Sequence, residues 1–201
     1  MVPMLLEENN IGAESAVMPT SPKSLKLEEA ERLSQGRPFE LVRGEMIFKM
    51  PDYEHAQAQS LLNAELVIYF KSHPIGRVLS ELTHRLWPEN PHEGRLPDLS
   101  VILNEHVQVR ERYPTRAPDI AIEIISREDV WSKLFDKATL YLDKGSREVW
   151  LVDPYQKGLL IVTPKTRYWE WQALTSPELL PGFRVELKDI FSWPVAEAAA
   201  H

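Results

Sequence analysis

The stretch Pro118-Asp119-Ile120-Ala121-Ile122-Glu123-Ile124-Ile125 predicts a buried β-strand with a carboxylate in its middle. Side chains alternate between the two faces of an extended chain, so Ile120, Ile122 and Ile124 point one way and Glu123 points the other. Burying an ionised carboxylate without a partner is costly, so a metal ion, a lysine or a hydrogen-bond network is expected beside Glu123. A solvent-facing glutamate or an internal ion pair is the alternative.

A second short strand is predicted from Asp98 to Leu103, with Leu99, Val101 and Leu103 on one face and Asp98 on the other. If this strand pairs with the strand of Glu123, the two carboxylates converge. Mg²⁺ binds one or two carboxylates, keeps several waters and accepts phosphate oxygens, and such an ion acidifies a bound water. The two strands therefore predict a site for Mg²⁺ or Mn²⁺.

A helix predicted from about Asp129 to Leu142 supplies candidate ammonium groups for this site. Lys133, Lys137 and Lys144 lie on or just after it, and Lys137 precedes Tyr141 by four residues, which places both on one helical face. An ammonium near the carboxylates could orient a water or stabilise the charge that develops on a phosphate.

The rest of the chain predicts helices packed on a mixed set of strands, an α/β or α+β fold. A short helix capped by Ser24 is expected before Gly36, and Arg43-Gly44 predicts a hairpin whose surface arm carries Glu40 and Glu45. Apolar residues at steps of three and four predict an amphipathic helix over 54–71. Further strands are predicted at 78–82, 149–152, 159–162 and 168–171.

The 201 residues, 43% of them hydrophobic, favour one domain over 24–193, with a disordered tail at 1–23 and a short tail at 194–201. No secretory signal or membrane-spanning run is recognised, and without cysteine the default location is the cytoplasm. The net charge of −7 argues mildly against a nucleic-acid binder. A carboxylate metal site contributes to that charge, so charge alone leaves the question open.

Six fragments of the chain, taken in order, resemble the Uma-type restriction endonucleases of the PD-(D/E)XK nuclease superfamily. The fragments are Phe39-Glu40-Leu41-Val42-Arg43-Gly44-Glu45, His55, Pro97-Asp98-Leu99, Ile122-Glu123-Ile124-Ile125-Ser126, Lys137 with Tyr141, and Glu148-Val149-Trp150-Leu151-Val152-Asp153. The resemblance spans about residues 25–191. It implies a restriction-endonuclease-like core, a mixed β-sheet flanked by helices. It also implies that Asp98 and Glu123 hold a divalent metal and that Glu40 and His55 have roles near the site.

Two departures from the family pattern concern the site. The superfamily usually has lysine two residues after the glutamate, where this chain has Ile125, and the resemblance implies that Lys137 on the following helix replaces it. After Ser126 the family tends to continue with Pro, Ser and Thr and later an Asp. This chain has Arg127-Glu128-Asp129 and, at the later position, Lys133.

Substrate contacts are predicted at the loop that joins the two carboxylate strands. Arg110, Arg112 and Arg116 lie in it and could touch phosphates, although a solvated loop is the alternative. Tyr141 is a further candidate, with a core aromatic as its alternative.

Three functions remain open from the sequence. The first is a Mg²⁺-dependent endonuclease that hydrolyses DNA phosphodiester bonds, as a homodimer that could cut two strands. The second is a catalytically inactive protein of the same fold that binds DNA or another partner as an oligomer. The third is a small-molecule phosphoesterase, since fold does not fix substrate.

Overall fold

The computed structural model describes residues 24–109 and 111–193. The predicted tails and Arg110 lie outside the described residues. The helices are α1 (Leu27–Ser34), α2 (Tyr53–Ser72), α3 (Trp131–Asp143) and α4 (Leu187–Phe191). The strands are β1 (Phe39–Val42), β2 (Glu45–Phe48), β3 (Gly76–Ser80), β4 (Leu99–Leu103), β5 (Ile120–Ile124), β6 (Glu148–Asp153), β7 (Gly158–Val162), β8 (Arg167–Glu170), β9 (Ala173–Ser176) and β10 (Leu180–Glu186).

A six-stranded mixed sheet organises the molecule. Its order is β3-β4-β5-β6-β7-β8, and β5 and β6 are parallel while every other neighbouring pair is antiparallel. The parallel pair needs a crossover, and α3 supplies it. This architecture confirms the predicted mixed α and β fold with helices on a mixed sheet.

The two faces of the sheet pack against different helices, because apolar side chains alternate along β4 and β5. Ile120, Ile122 and Ile124 belong to the core shared with α2 and α4, whereas Ala121 and Ile125 belong to the core under α3. The predicted alternation is confirmed. Burying a large aliphatic side chain contributes about 1.5–3 kcal/mol, so a slip of the register by one residue would be strongly disfavoured.

The register of β4 on β5 brings the two candidate carboxylates together. Leu99 pairs with Ile122 and Val101 with Ile120 in the antiparallel ladder. Continuing this register by one residue sets Asp98, which precedes β4, opposite Glu123 near the end of β5.

The hairpin of β1 and β2 is confirmed, including its two-residue turn. Arg43 and Gly44 both have positive φ, 52° and 79°, as the preferred hairpin turn requires. The prediction that Glu40 lies on a surface arm is wrong, since Glu40 is only 8% exposed while Glu45 is exposed. Glu40 is buried because its side chain points inward, toward Lys137 and Leu96.

The first helix begins later than its predicted cap. Lys26, not Ser24, is the N-cap of α1, and its backbone N–H donates to Glu29 Oε2 at 3.1 Å. Ser24 instead lies beside the hairpin turn, where its hydroxyl donates to Arg43 O at 3.5 Å.

The C-terminal part of the fold adds elements that the sequence did not predict. Strands β9 and β10 form a separate antiparallel pair with an irregularity between Leu180 and Arg184, and α4 packs on α2. Leu174, Phe183 and Ile190 from this part are buried in the core that contains α2. No helix among the described residues is long and apolar enough to span a bilayer.

Candidate active site

Asp98 and Glu123 form the centre of the candidate site. Their side chains are 1% and 5% exposed, so both are removed from bulk water. Two buried carboxylates this close require cations or hydrogen-bond donors, and the structure provides both.

One lysine bridges the two carboxylates. Lys49, directly after β2, places Nζ 2.7 Å from Asp98 Oδ1 and 3.1 Å from Glu123 Oε2. Lys49 is not among the residues predicted from the sequence. Its position outside any periodic element gave no signal, and only the approach of the hairpin to the sheet brings it in.

The second oxygen of Asp98 is held by the protein as well. The backbone N–H of Ile124 donates to Asp98 Oδ2 at 2.7 Å, and His55 Nε2 lies 3.3 Å from the same oxygen. Burial opposes ionisation, but Lys49 and His55 outweigh it and hold the pKa of Asp98 well below its usual range. Asp98 is therefore an anion at neutral pH.

Lys137 reaches the centre from α3. Its Nζ lies 2.8 Å from Glu123 Oε1 and 2.8 Å from Glu40 Oε1. The hydroxyl of Tyr141, one turn later, donates to Glu123 Oε1 at 2.9 Å. Glu40 Oε1 also accepts the backbone N–H of Leu96 at 3.1 Å. Glu40 thus orients Lys137 from the hairpin side.

The electrostatics of the cluster follow from burial and from these contacts. Burial acts against the charge of Lys137, but Glu123 and Glu40 outweigh it and raise its pKa. Burial likewise opposes the charge of Glu40, and Lys137 and Lys49 outweigh it and lower the pKa. Burial raises the pKa of Glu123 above its ordinary value despite its two lysine neighbours.

The N-terminus of α2 fixes His55. Asp52 is the N-cap, and its Oδ1 accepts the His55 backbone N–H at 3.0 Å. The hydroxyl of Tyr155 donates to Asp52 Oδ2 at 2.6 Å, and Asp153 Oδ1 accepts the backbone N–H of Tyr155 at 2.9 Å. The turn after β6 therefore supports the helix end that carries His55.

The cluster lies at the base of a cleft with a volume of about 560 Å³. Glu40, Lys49, His55, Asp98, Glu123 and Lys137 all line it. Its outer lining includes the exposed residues Met50, Glu128, Asp129 and Lys133. The cleft therefore opens to solvent on the side of these residues.

Of the predicted arginines, the described pair Arg112 and Arg116 do not join this site. Arg112 forms an ion pair with Glu31 of α1, and Arg116 Nη2 lies 3.3 Å from Gly145 O. Strand β4 leads away from Asp98 and β5 leads back toward Glu123, so the connecting loop leaves from strand ends roughly 15 Å away. Contact of Arg112 and Arg116 with a phosphate stays a prediction, and the distance of their loop from the carboxylates does not support it.

The other lysines named from the sequence take different places. Lys133 is exposed in the outer lining of the cleft, while Lys144 Nζ lies 4.5 Å from the centre of the Trp87 ring. Gln59, one helical turn after His55, donates to the backbone oxygen of Asp98 at 3.2 Å.

Asp98 and Glu123 offer a pair of carboxylates to a divalent cation, whereas no group of three or more His, Cys, Asp or Glu side chains among the described residues is arranged to hold one. Oxygen atoms from Asp98 and Glu123 lie within 3.1 Å of one common point, which the Lys49 ammonium occupies. Hard cations such as Mg²⁺ prefer carboxylate oxygens of this kind. Neighbouring donors from Ile124 and Tyr141 keep both carboxylates in place.

Comparisons with known proteins give the family and the fold of the chain. The model of the Uma2 family, described as "Putative restriction endonuclease", matches residues 26–191. A crystal structure described as "a putative nuclease belonging to DUF820", from Anabaena variabilis, is 24% identical, covers 84% of this chain and 98% of that chain, and has a TM-score of 0.71. At this identity the likeness shows the fold.

A cryo-EM structure of a DrdV–DNA complex is 11% identical over 70% of this chain and 14% of that chain, with a TM-score of 0.33, which is too low to support an argument. No curated protein matches the chain significantly. Because the family model spans most of its length, the chain belongs to the Uma2 family.

Proposed function

We propose that this protein is a divalent-metal-dependent endonuclease that hydrolyses phosphodiester bonds in DNA. Asp98 and Glu123 would hold Mg²⁺ or Mn²⁺. The observation that carries the proposal is that a single cation, the Lys49 ammonium, already reaches an oxygen of each carboxylate. Membership of a family described as restriction endonucleases supports a nuclease.

Lys137 supplies the positive charge on the other side of Glu123. The chemistry that a divalent cation provides when bound is acidification of a water and polarisation of a phosphoryl oxygen. The raised pKa of Lys137 keeps it protonated at neutral pH, so it acts as a donor and not as a base. Its ammonium would position the attacking water or stabilise charge that develops on the phosphate.

Glu40, His55 and Tyr141 are positioning residues in this proposal. Glu40 and Glu123 share the Lys137 ammonium and fix its direction. His55 faces Asp98 from α2, and Tyr141 donates to Glu123 from α3. These contacts come from three separate elements, so the geometry of the carboxylates depends on the complete fold.

The experiment that tests the function is cleavage of supercoiled plasmid by the full chain with Mg²⁺, with Mn²⁺, and with a chelator. Nicked and linear products should form only with metal. Incubation of a p-nitrophenyl phosphodiester in parallel tests the small-molecule alternative. Turnover of that ester without any cleavage of DNA would contradict the proposed substrate.

A binding protein without turnover is the second candidate. One observation favours it: the ammonium groups of Lys49 and Lys137 already pair with the carboxylates. DNA binding in a gel-shift assay, with no cleavage under any divalent metal, would select this candidate.

A homodimer completes the proposal, since two sites would allow both strands of a duplex to be cut. Light scattering coupled to gel filtration measures the mass directly. A mass of one chain at assay concentrations would contradict this part and leave single-strand nicking.

A further inference from the structure

Lys49 is the residue of the cluster that neither the sequence pattern nor the proposed chemistry uses. It enters from the end of β2, while the lysine assigned to the reaction enters from α3. Its ammonium lies between Asp98 Oδ1 and Glu123 Oε2, at 2.7 and 3.1 Å. These are the two residues proposed to hold a metal.

A metal and this ammonium cannot occupy that position together. Mg²⁺ binds oxygen at about 2.0–2.1 Å, so an ion bound by both carboxylates would lie inside the contact distance of the lysine nitrogen. Two cations at that separation also repel each other strongly in a site removed from water. Binding of one therefore requires departure of the other.

Further protein contacts hold the two carboxylates, whereas a long side chain with several rotatable bonds carries the Lys49 ammonium. Asp98 is held by the Ile124 N–H, and Glu123 by Lys137 and Tyr141. The Lys49 side chain is 21% exposed and lines the open cleft, and its long flexible stem offers other rotamers. Exchange can proceed by rotation of one side chain, without rearrangement of the sheet.

The charge of the cluster favours such an exchange. The three carboxylates of Glu40, Asp98 and Glu123 outnumber the two ammonium groups by one charge. Replacing the single charge of Lys49 by a divalent ion removes this excess. Without metal, the Lys49 ammonium stabilises the cluster by supplying one of the two positive charges that a divalent ion would bring.

We propose that Lys49 is a built-in counter-cation that holds the Asp98 and Glu123 pair in the metal-free protein and is displaced when a divalent ion binds. This rests on the proposed function in taking Asp98 and Glu123 as the metal ligands. Lys49 thereby sets the metal affinity of the site. The protein binds metal more weakly than its carboxylates alone would allow, because the competent state must first lose an ion pair.

The first test is calorimetric titration of the full chain with Mn²⁺ in the absence of DNA. Lys49→Met should bind Mn²⁺ about ten-fold more tightly or better, since the competing ammonium is gone. Lys133→Met, which removes an exposed lysine from the outer lining of the same cleft, is the matched control and should stay within about three-fold of the parent. Lys49→Met/Asp98→Asn should lose the binding gained.

The outcomes separate this proposal from the function on which it rests. Equal or weaker binding by Lys49→Met overturns the exchange and leaves a metal site. Absence of Mn²⁺ binding in both the parent and Lys49→Met overturns both proposals.

The second test uses the parent and so does not depend on the folding of a variant. Lysines are acetylated with a dilute amine-reactive reagent, with and without saturating Mn²⁺, and each site is quantified by mass spectrometry. Labelling of Lys49 relative to Lys133 should rise several-fold with metal, because the displaced ammonium loses its carboxylate partners. A ratio that stays constant or falls overturns the proposal.

Discussion

Lys137 of α3 lies 2.8 Å from Glu123 of β5, although the strand position two residues after Glu123 holds Ile125. Ile125 is buried beneath α3, where it packs with Leu134 and Ala138. Ile125 on this face of the sheet therefore makes an apolar contact with α3, and Lys137 of α3 supplies the positive charge beside Glu123. A lysine from either origin can reach the carboxylate, because its stem is long and flexible.

Lys137→Ala should lower DNA cleavage by about two to three orders of magnitude, because a donor that stabilises transition-state charge is lost. Mn²⁺ affinity should change much less, since Asp98 and Glu123 remain. Single-turnover plasmid cleavage measures the rate, and Lys144→Ala is the matched control because Lys144 lies against Trp87. Cleavage at the parental rate by Lys137→Ala would refute the role.

Adding Ile125→Lys to Lys137→Ala should restore part of the rate, because position 125 lies on the Glu123 face of the strand. The rescued protein should be less stable than the parent, since Ile125 fills the core under α3. Lack of rescue counts against the geometry only if near-ultraviolet circular dichroism shows native packing in the double variant.

Tyr141→Phe should destabilise the protein by about 1–3 kcal/mol, because the buried Glu123 carboxylate loses a donor at 2.9 Å. Urea unfolding measures the change, and Tyr168→Phe, at an exposed tyrosine, is the control. An unchanged free energy of unfolding for Tyr141→Phe would mean that a water molecule replaces the hydroxyl, and so that water reaches the Glu123 carboxylate.

His84 gives the fold a pH dependence away from the candidate site. It is fully buried, with Nδ1 2.8 Å from Arg116 O and Nε2 3.0 Å from Ser100 Oγ. Burial lowers the pKa of His84 to about 4 from an ordinary value of 6.5, although the Arg116 carbonyl partly opposes this. The unfolded chain then binds more protons than the folded one between these values, so stability falls as the pH drops through this window.

The predicted loss of unfolding free energy from His84 between pH 7 and pH 4 is about 3 kcal/mol. Urea unfolding at several pH values measures it. His84→Gln should flatten this part of the profile, whereas His73→Gln, at an exposed histidine, should not. Parallel profiles for the parent and His84→Gln would contradict the assignment.

Asp52 links the turn after β6 to α2. Asp52→Ala should lower the midpoint of urea unfolding, because the cap of α2 and the Tyr155 contact are both lost. Cleavage should fall too, through the displaced His55. Asp52→Asn keeps a capping oxygen and should lie close to the parent on both measures. If Asp52→Ala and Asp52→Asn have the same unfolding midpoint and the same cleavage rate, the Asp52 cap does not position His55.

Much of the sheet could be predicted from the sequence because its signals are local. The alternation in Ile120–Ile124 and Leu99–Leu103 gave both strands and their faces, and Arg43-Gly44 gave the hairpin turn. Strands β9 and β10 were not predicted because Pro177 directly follows β9 and Pro181 and Gly182 lie within β10, residues that suggest turns.

Local patterns pointed to Asp98, Glu123 and Lys137, whereas Glu40 and His55 were expected near the site only through the family resemblance. Glu40 and Lys49 are placed by contacts with residues far along the chain, Leu96, Lys137 and Asp98, which no local pattern encodes. The position of the loop between β4 and β5, in contrast, could have been predicted from the sequence. Asp98 lies just before β4 and Glu123 near the end of β5, so the loop that joins the two strands must lie at the opposite end of the pair from these carboxylates.

Single-turnover cleavage of supercoiled plasmid with Mn²⁺, comparing the parent with Asp98→Asn and Glu123→Gln, is the sharpest test of whether these two carboxylates hold the metal of a nuclease. We expect cleavage by the parent and a loss of at least about two orders of magnitude in each variant, because each removes a charged metal ligand. Circular dichroism shows whether each variant is folded. Folded variants that cleave at the parental rate, or parental cleavage that persists in a chelator, would contradict the assignment of Asp98 and Glu123 as ligands of a required metal.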